Sequence, residues 1–221
     1  MEELREQLME IKKEFRRLMN GAVSKSMRES GLNYKINFGV ELPRLRELAA
    51  SYGKNHDLAQ ALWKEDIRES KIMASLLQPI ETFYPEIADI WVGDIRTLEI
   101  AEQTTMNLFQ HLSYAPAKAF QWISQDEEFP KVCGYLIIGR LLLTKGDMDE
   151  RAENQYLDQT IADFLSGSYN VRSSSLKSLR RFIQHSEDNA FAVCRRVEQF
   201  KDSSSEMERL LYEHVRNEVE I

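Results

Sequence analysis

Apolar positions recur at helical spacing along almost the whole chain. Leu4, Leu8, Ile11, Phe15 and Leu18 follow one another at intervals of three and four, which predicts a first helix with one apolar stripe. The stretch ELPRLRELAASYG sets Pro43 near its start and Gly53 just past its end, the asymmetry of a helix that opens on proline and stops on glycine. HDLAQALWKED and IRESKIMASLL predict two more helices, the second ended by Pro79, and another runs from near Pro85 to Gly93. The same periodicity predicts helices at about 97–112, 116–125, 128–144, 149–165, 169–185, 188–200 and 203–218. No run alternates apolar and polar positions, and no Asn-Gly or Asp-Gly turn separates two such runs. The chain reads as all-α.

Two of these segments differ in kind. The helix at 128–144 is apolar almost all round, as in a helix packed between neighbours. At 169–185, Val171, Leu179 and Phe182 form a core stripe, while Ser173, Lys177, Arg180, Arg181 and Gln184 gather opposite. Consecutive helix pairs with a period of about 35–45 residues predict a stacked α-solenoid. We read residues 1–221 as one such domain.

Composition narrows the function. Hydrophobic residues are 43% and charged residues 29%, an ordinary globular balance. Cys133 and Cys194 are too few for a disulfide framework or metal knuckle, and His56, His111, His185 and His214 show no mutual spacing that builds a metal site. No phosphate-loop motif supports nucleotide hydrolysis, and no cofactor is implied. VCGYLIIGRLLL, residues 132–143, is too short to span a bilayer and carries Arg140. The N-terminus lacks a signal-peptide apolar core. These features predict a cytoplasmic protein with no membrane partner, and a monomer. Trp63, Trp91, Trp122 and Cys133 lie in apolar helical patterns and are expected in the core; Tyr34 and Tyr114, in loops, are expected to pack.

The net charge of −7 disfavours a large nucleic-acid footprint, but the charge is unevenly spread. Residues 41–102 hold seven bases against twelve acids, and 103–165 five against nine; residues 166–201 hold seven bases against three acids. That permits a local anion-binding surface. The stretch LEIAEQTTMNLF adds a chemical question, because Glu99 and Glu102, three apart, share a helix face. They are either a catalytic pair or acids that a helix N-terminus stabilises by about 0.3–1 kcal/mol each.

FGVELPRLRELAASYG (38–53), ALWKEDIRESKIMASLL (61–77), LEIAEQTTMNLF and, more loosely, VRSSSLKSLRRF (171–182) together resemble the DNA alkylation repair family. The resemblance covers about residues 30–185. It implies a curved, right-handed superhelix of HEAT-like helix pairs whose basic concave face cradles duplex DNA, and an alkylpurine DNA glycosylase activity. Glycosylase members carry a Trp followed four residues later by an Asp, which together stabilise a cationic base and an oxocarbenium-like sugar. The matching positions here are Leu98 and Glu102. The family's Arg in the next functional helix matches Val132, with Lys131 beside it, and its second Trp matches Lys177. The resemblance therefore implies a degenerate glycosylase site.

Three functions follow in order. The first is engagement of DNA backbone through a concave groove by Lys131, Lys177, Arg180 and Arg181, with Lys131 and Lys177 facing one groove. The second is a non-catalytic scaffold for a protein partner. The third is an active glycosylase relying on Glu102.

Overall fold

The computed structural model describes residues 2–32, 34–144 and 148–219. Among them thirteen α-helices and two 3₁₀ turns account for the regular structure, with one isolated bridge between Ile36 and Ile67. The chain divides into two units, residues 1–112 and 113–221.

The first unit holds α1 (Glu2–Arg17), α2 (Gly21–Glu29), α3 (Leu42–Tyr52), α4 (His56–Trp63), α5 (Arg68–Leu77), α6 (Pro85–Gly93) and α7 (Leu98–Asn107). The Pro43 and Gly53 signals bound α3 as expected, and α6 runs from Pro85 to Gly93. Helix α2 has no clear apolar stripe in the sequence, and only Ser24 of it is buried. Its start is set by Asn20, whose side chain accepts from the Val23 amide at 3.2 Å, a local cap that satisfies an otherwise orphaned donor. The predicted helix at 97–112 is interrupted. Leu108 leaves the helical region at φ −135° and ψ −63°, and residues 109–111 continue as a 3₁₀ turn.

Between α2 and α3 the chain runs extended, so its amides and carbonyls need partners outside a sheet. The Asn20 amide donates to Phe38 O and Ser24 Oγ to Asn37 O, at 3.0 and 2.9 Å. From the other side the Phe38 and Val40 amides donate to the Glu69 carboxylate at 3.1 and 3.2 Å. Gly39 makes this threading possible: at φ +70°, a Cβ there would lie 2.3 Å from Asn20 O. Nearby, the rings of Trp63 and Trp91 stack 4.0 Å apart at 2°, and Phe83 meets Trp91 edge-on. Their indole N–H groups donate to Asp94 and Gln60. Both tryptophans are core residues, as is Trp122 in the second unit.

The second unit holds α8 (Ala115–Ile123), α9 (Glu128–Leu143), α10 (Glu150–Ser166), α11 (Tyr169–His185), α12 (Glu187–Val197) and α13 (Glu206–Val219). Helix α9 is central, burying Val132, Cys133, Tyr135, Ile137, Ile138 and Leu142. A Cβ at Gly134 would sit 2.6 Å from Ile123 and 2.7 Å from Ala119 O, so glycine permits the close packing of α8 on α9. Across α9, Ser174, Ser175 and Ser178 of α11 are buried. Small side chains there bring α11 near Gly139, where an added Cβ would lie 3.7 Å from Ser178 Cα.

Candidate nucleic-acid interface

Helix α7 places its two carboxylates differently. Thr97 caps the helix, its hydroxyl accepting from the Ile100 amide, which puts Glu99 in the first turn. Glu99 is taken up by Arg68: Nε and Nη2 donate to its two oxygens at 2.8 and 2.6 Å. Tyr34 donates its hydroxyl to the same carboxylate at 2.5 Å. Burial pushes Glu99 upward, but the hydrogen bonds and charge of Arg68, with Tyr34, outweigh it and hold the carboxyl below its usual 4.5. Tyr34 is raised by its own burial and by Glu99. The remaining guanidinium nitrogen, Nη1, donates to Val40 O and Glu69. Glu99 is thus part of the network that fixes the extended segment to α5. Glu102 lies one turn further along α7, half-buried.

The bases converge in the second unit. Helices α9, α11 and α13 border a groove of about 450 Å³. Lys177, Arg180 and Arg181 line one side and Arg140 the other, with Tyr135, Leu136 and Leu143 as the apolar wall. The stripe opposite Val171, Leu179 and Phe182 explains this: those three are buried, and Lys177, Arg181 and Gln184 are exposed. Arg140 and Glu218 were not among the residues singled out from sequence. A lone base in the last turn of an otherwise apolar helix was the available signal for Arg140; Glu218 had none.

Lys131 is not part of that lining. Its ammonium lies 2.5 Å from Asp163 of α10, which also accepts from the Tyr135 hydroxyl at 2.6 Å. Asp163 is 4% exposed, so Lys131 neutralises a buried carboxylate. Burial, followed by Asp163, pushes the Tyr135 hydroxyl far above its ordinary range. Val132, beside it, is fully buried.

Among the described residues no group of three His, Cys, Asp or Glu side chains is placed to hold a metal ion, and no helix is long and apolar enough to cross a membrane.

Comparison with known proteins adds two findings. The family model described as DNA alkylation repair enzyme matches residues 11–161. A solved structure from a family of proteins related to the HEAT-like repeat DNA glycosylases, with affinity for branched DNA structures, superposes with a TM-score of 0.76 at 14% identity. The match covers 95% of this chain and 94% of that one, which identifies the fold as a HEAT-like α-solenoid. No curated protein matches the sequence.

Proposed function

The chain belongs to the DNA alkylation repair family, and from that premise we propose that it binds DNA backbone through the groove between α9 and α11 without excising bases. One observation carries the reading: in a protein of net charge −7, four bases from two helices line a single groove. Guanidinium groups suit the task because their planar fork matches phosphate oxygens two at a time. The apolar wall offered by Leu136 and Leu143 is suited to the sugar and base faces beside the backbone. The fold relative with affinity for branched DNA structures supports including branched substrates among the ligands. Degeneracy of the chemical site rests on Leu98 and Lys177 standing where the family carries aromatics.

Fluorescence anisotropy with labelled duplex and branched DNA, read across a salt series, tests the proposal. Binding should weaken with salt at a log–log slope of about −3.6, from four contacts at about −0.9 per neutralised phosphate. Replacing Lys177 and Arg181 with Ala should weaken binding alike for different sequences and make the slope shallower by about 0.9 per lost contact. Absence of binding to either DNA at low salt would overturn this reading and favour the protein scaffold, for which the acidic stretch 41–165 is the supporting feature.

A further inference from the structure

An acid sits among the groove's bases. Glu218, in the last turn of α13, brings Oε2 to 3.3 Å from Arg180 Nε. Its Oε1 accepts from Gln184 Nε2, and Gln184 Oε1 in turn accepts from Arg181 Nη1 at 3.2 Å. The side chain is only 16% exposed, against 44% for Arg180. A helix C-terminus is the wrong end for a carboxylate, because the macrodipole leaves partial negative charge there. The attraction that holds Glu218 therefore comes from α11. It is also a loose attraction: Arg180 Nε is buried and makes no hydrogen bond, so a better-aligned acceptor would gain what Glu218 leaves unmade.

We propose that Glu218 is an internal substitute for a backbone phosphate, occupying Arg180 and Gln184 in the unbound protein and giving way when DNA enters the groove. A phosphodiester offers the same two acceptor oxygens on one centre, with neighbouring phosphates to engage Lys177 and Arg181. A single phosphate competes with Glu218 on equal terms; a strand displaces it through its several simultaneous contacts. Glu218 thereby sets the threshold for binding and favours polyanions over small anions. This inference rests on the groove being a phosphate site.

The test compares full-length Glu218→Gln with the unaltered chain by duplex anisotropy across salt, with Glu213→Gln as an equal charge change on the same helix outside the groove. Glu218→Gln should tighten duplex binding about three- to ten-fold at low salt with the slope nearly unchanged, because Arg180 meets a phosphate in both complexes. Glu213→Gln should not tighten binding beyond its small effect on net charge. In an Arg180→Ala background the Glu218→Gln gain should vanish, since the group it releases is gone. Thermal melts of each variant establish that it is folded. If the unaltered chain binds DNA but Glu218→Gln matches Glu213→Gln, or its gain survives Arg180→Ala, the substitute role is overturned and the groove reading stands. If neither the unaltered chain nor Glu218→Gln binds, both fail.

Discussion

Arg68 and Glu99, 31 residues apart in the chain, meet as a two-pronged pair in which the arginine is 2% exposed. Around them Glu69, Val40 and Tyr34 take up the remaining donors and acceptors, so an extended segment without a sheet partner is pinned to α5 and α7. Removing Glu99 strips Arg68 Nε and Nη2 of their acceptors while Glu69 still faces Nη1, and lost hydrogen bonds between charged groups commonly cost about 1.5–3 kcal/mol each. Glu99→Ala should therefore lower the urea midpoint severely, with the slope of the transition unchanged. Arg68→Met combined with Glu99→Met should not recover that loss, because it leaves the fully buried carboxylate of Glu69 without its ionic partner; a double variant that regains the lost stability would contradict this account.

The same pair sets an acid sensitivity. The carboxyl of Glu99 is held below 4.5 in the folded chain by the net effect of Arg68 and Tyr34 against burial. A depressed folded value means the unfolded chain takes up the proton first as pH falls. The stabilisation is fully present above about 4.5 and is lost as pH falls from there through the folded value. Glu99→Gln should be less stable at neutral pH, and the gap to the unaltered chain should narrow below about 4.5. Tyr34→Phe should cost about 1–2 kcal/mol at neutral pH through the lost hydrogen bond to a charged acceptor. Urea midpoints measured at several pH values would show both.

Local signals were legible in the sequence, and long-range pairings were not. Pro43, Gly53, Pro85 and Gly93 bound their helices because start and stop signals act within a turn. The basic stripe on α11 followed from spacing alone. Helix α2 leaves little periodic signal because it buries little apolar surface, and the break at Leu108 carries neither Gly nor Pro. Glu99 looked like a dipole-stabilised acid, and it does lie in the first turn of α7, but its main partner is Arg68 on another helix. Lys131 looked like a phosphate contact; its partner Asp163 lies 32 residues away. No periodicity announces such a partner.

Lys131 and Arg181 should consequently separate in experiment. Lys131→Ala leaves the Asp163 carboxylate, 4% exposed, facing the Tyr135 hydroxyl without its ionic partner. It should destabilise the second unit by about 2–3 kcal/mol, the cost of a charged group losing its ionic partner. DNA affinity at a temperature where the variant is folded should change little. Arg181 is exposed and bonded to Gln184 at the groove, so Arg181→Ala should leave the melting temperature nearly unchanged and weaken DNA binding. Thermal melts beside anisotropy titrations read the two effects independently. Equal losses of affinity in both variants would return Lys131 to the DNA contacts.

Glu102 carries the last prediction. Base excision from an alkylated purine needs stabilisation where the sugar becomes cationic, and the family supplies a carboxylate flanked by aromatic faces. By the family resemblance the carboxylate position matches Glu102, one methylene longer, and the two aromatic positions match Leu98 and Lys177. Leucine has no π face to offer a cation, and an ammonium opposes one. Removing a single charge-stabilising group from a catalytic site commonly costs about 10²–10³ in rate, on the analogy of oxyanion-hole donors. Two such losses should leave no release of 7-methylguanine or 3-methyladenine from methylated DNA above the spontaneous rate. Glu102→Gln should then leave DNA affinity unchanged and shift thermal stability only slightly, since the macrodipole acts mainly within the first turn and Glu102 lies beyond it. Chromatography of the released bases decides the matter. Release that disappears in Glu102→Gln would establish an active glycosylase, and it would mean that this fold runs the chemistry on a carboxylate without its aromatic cradle.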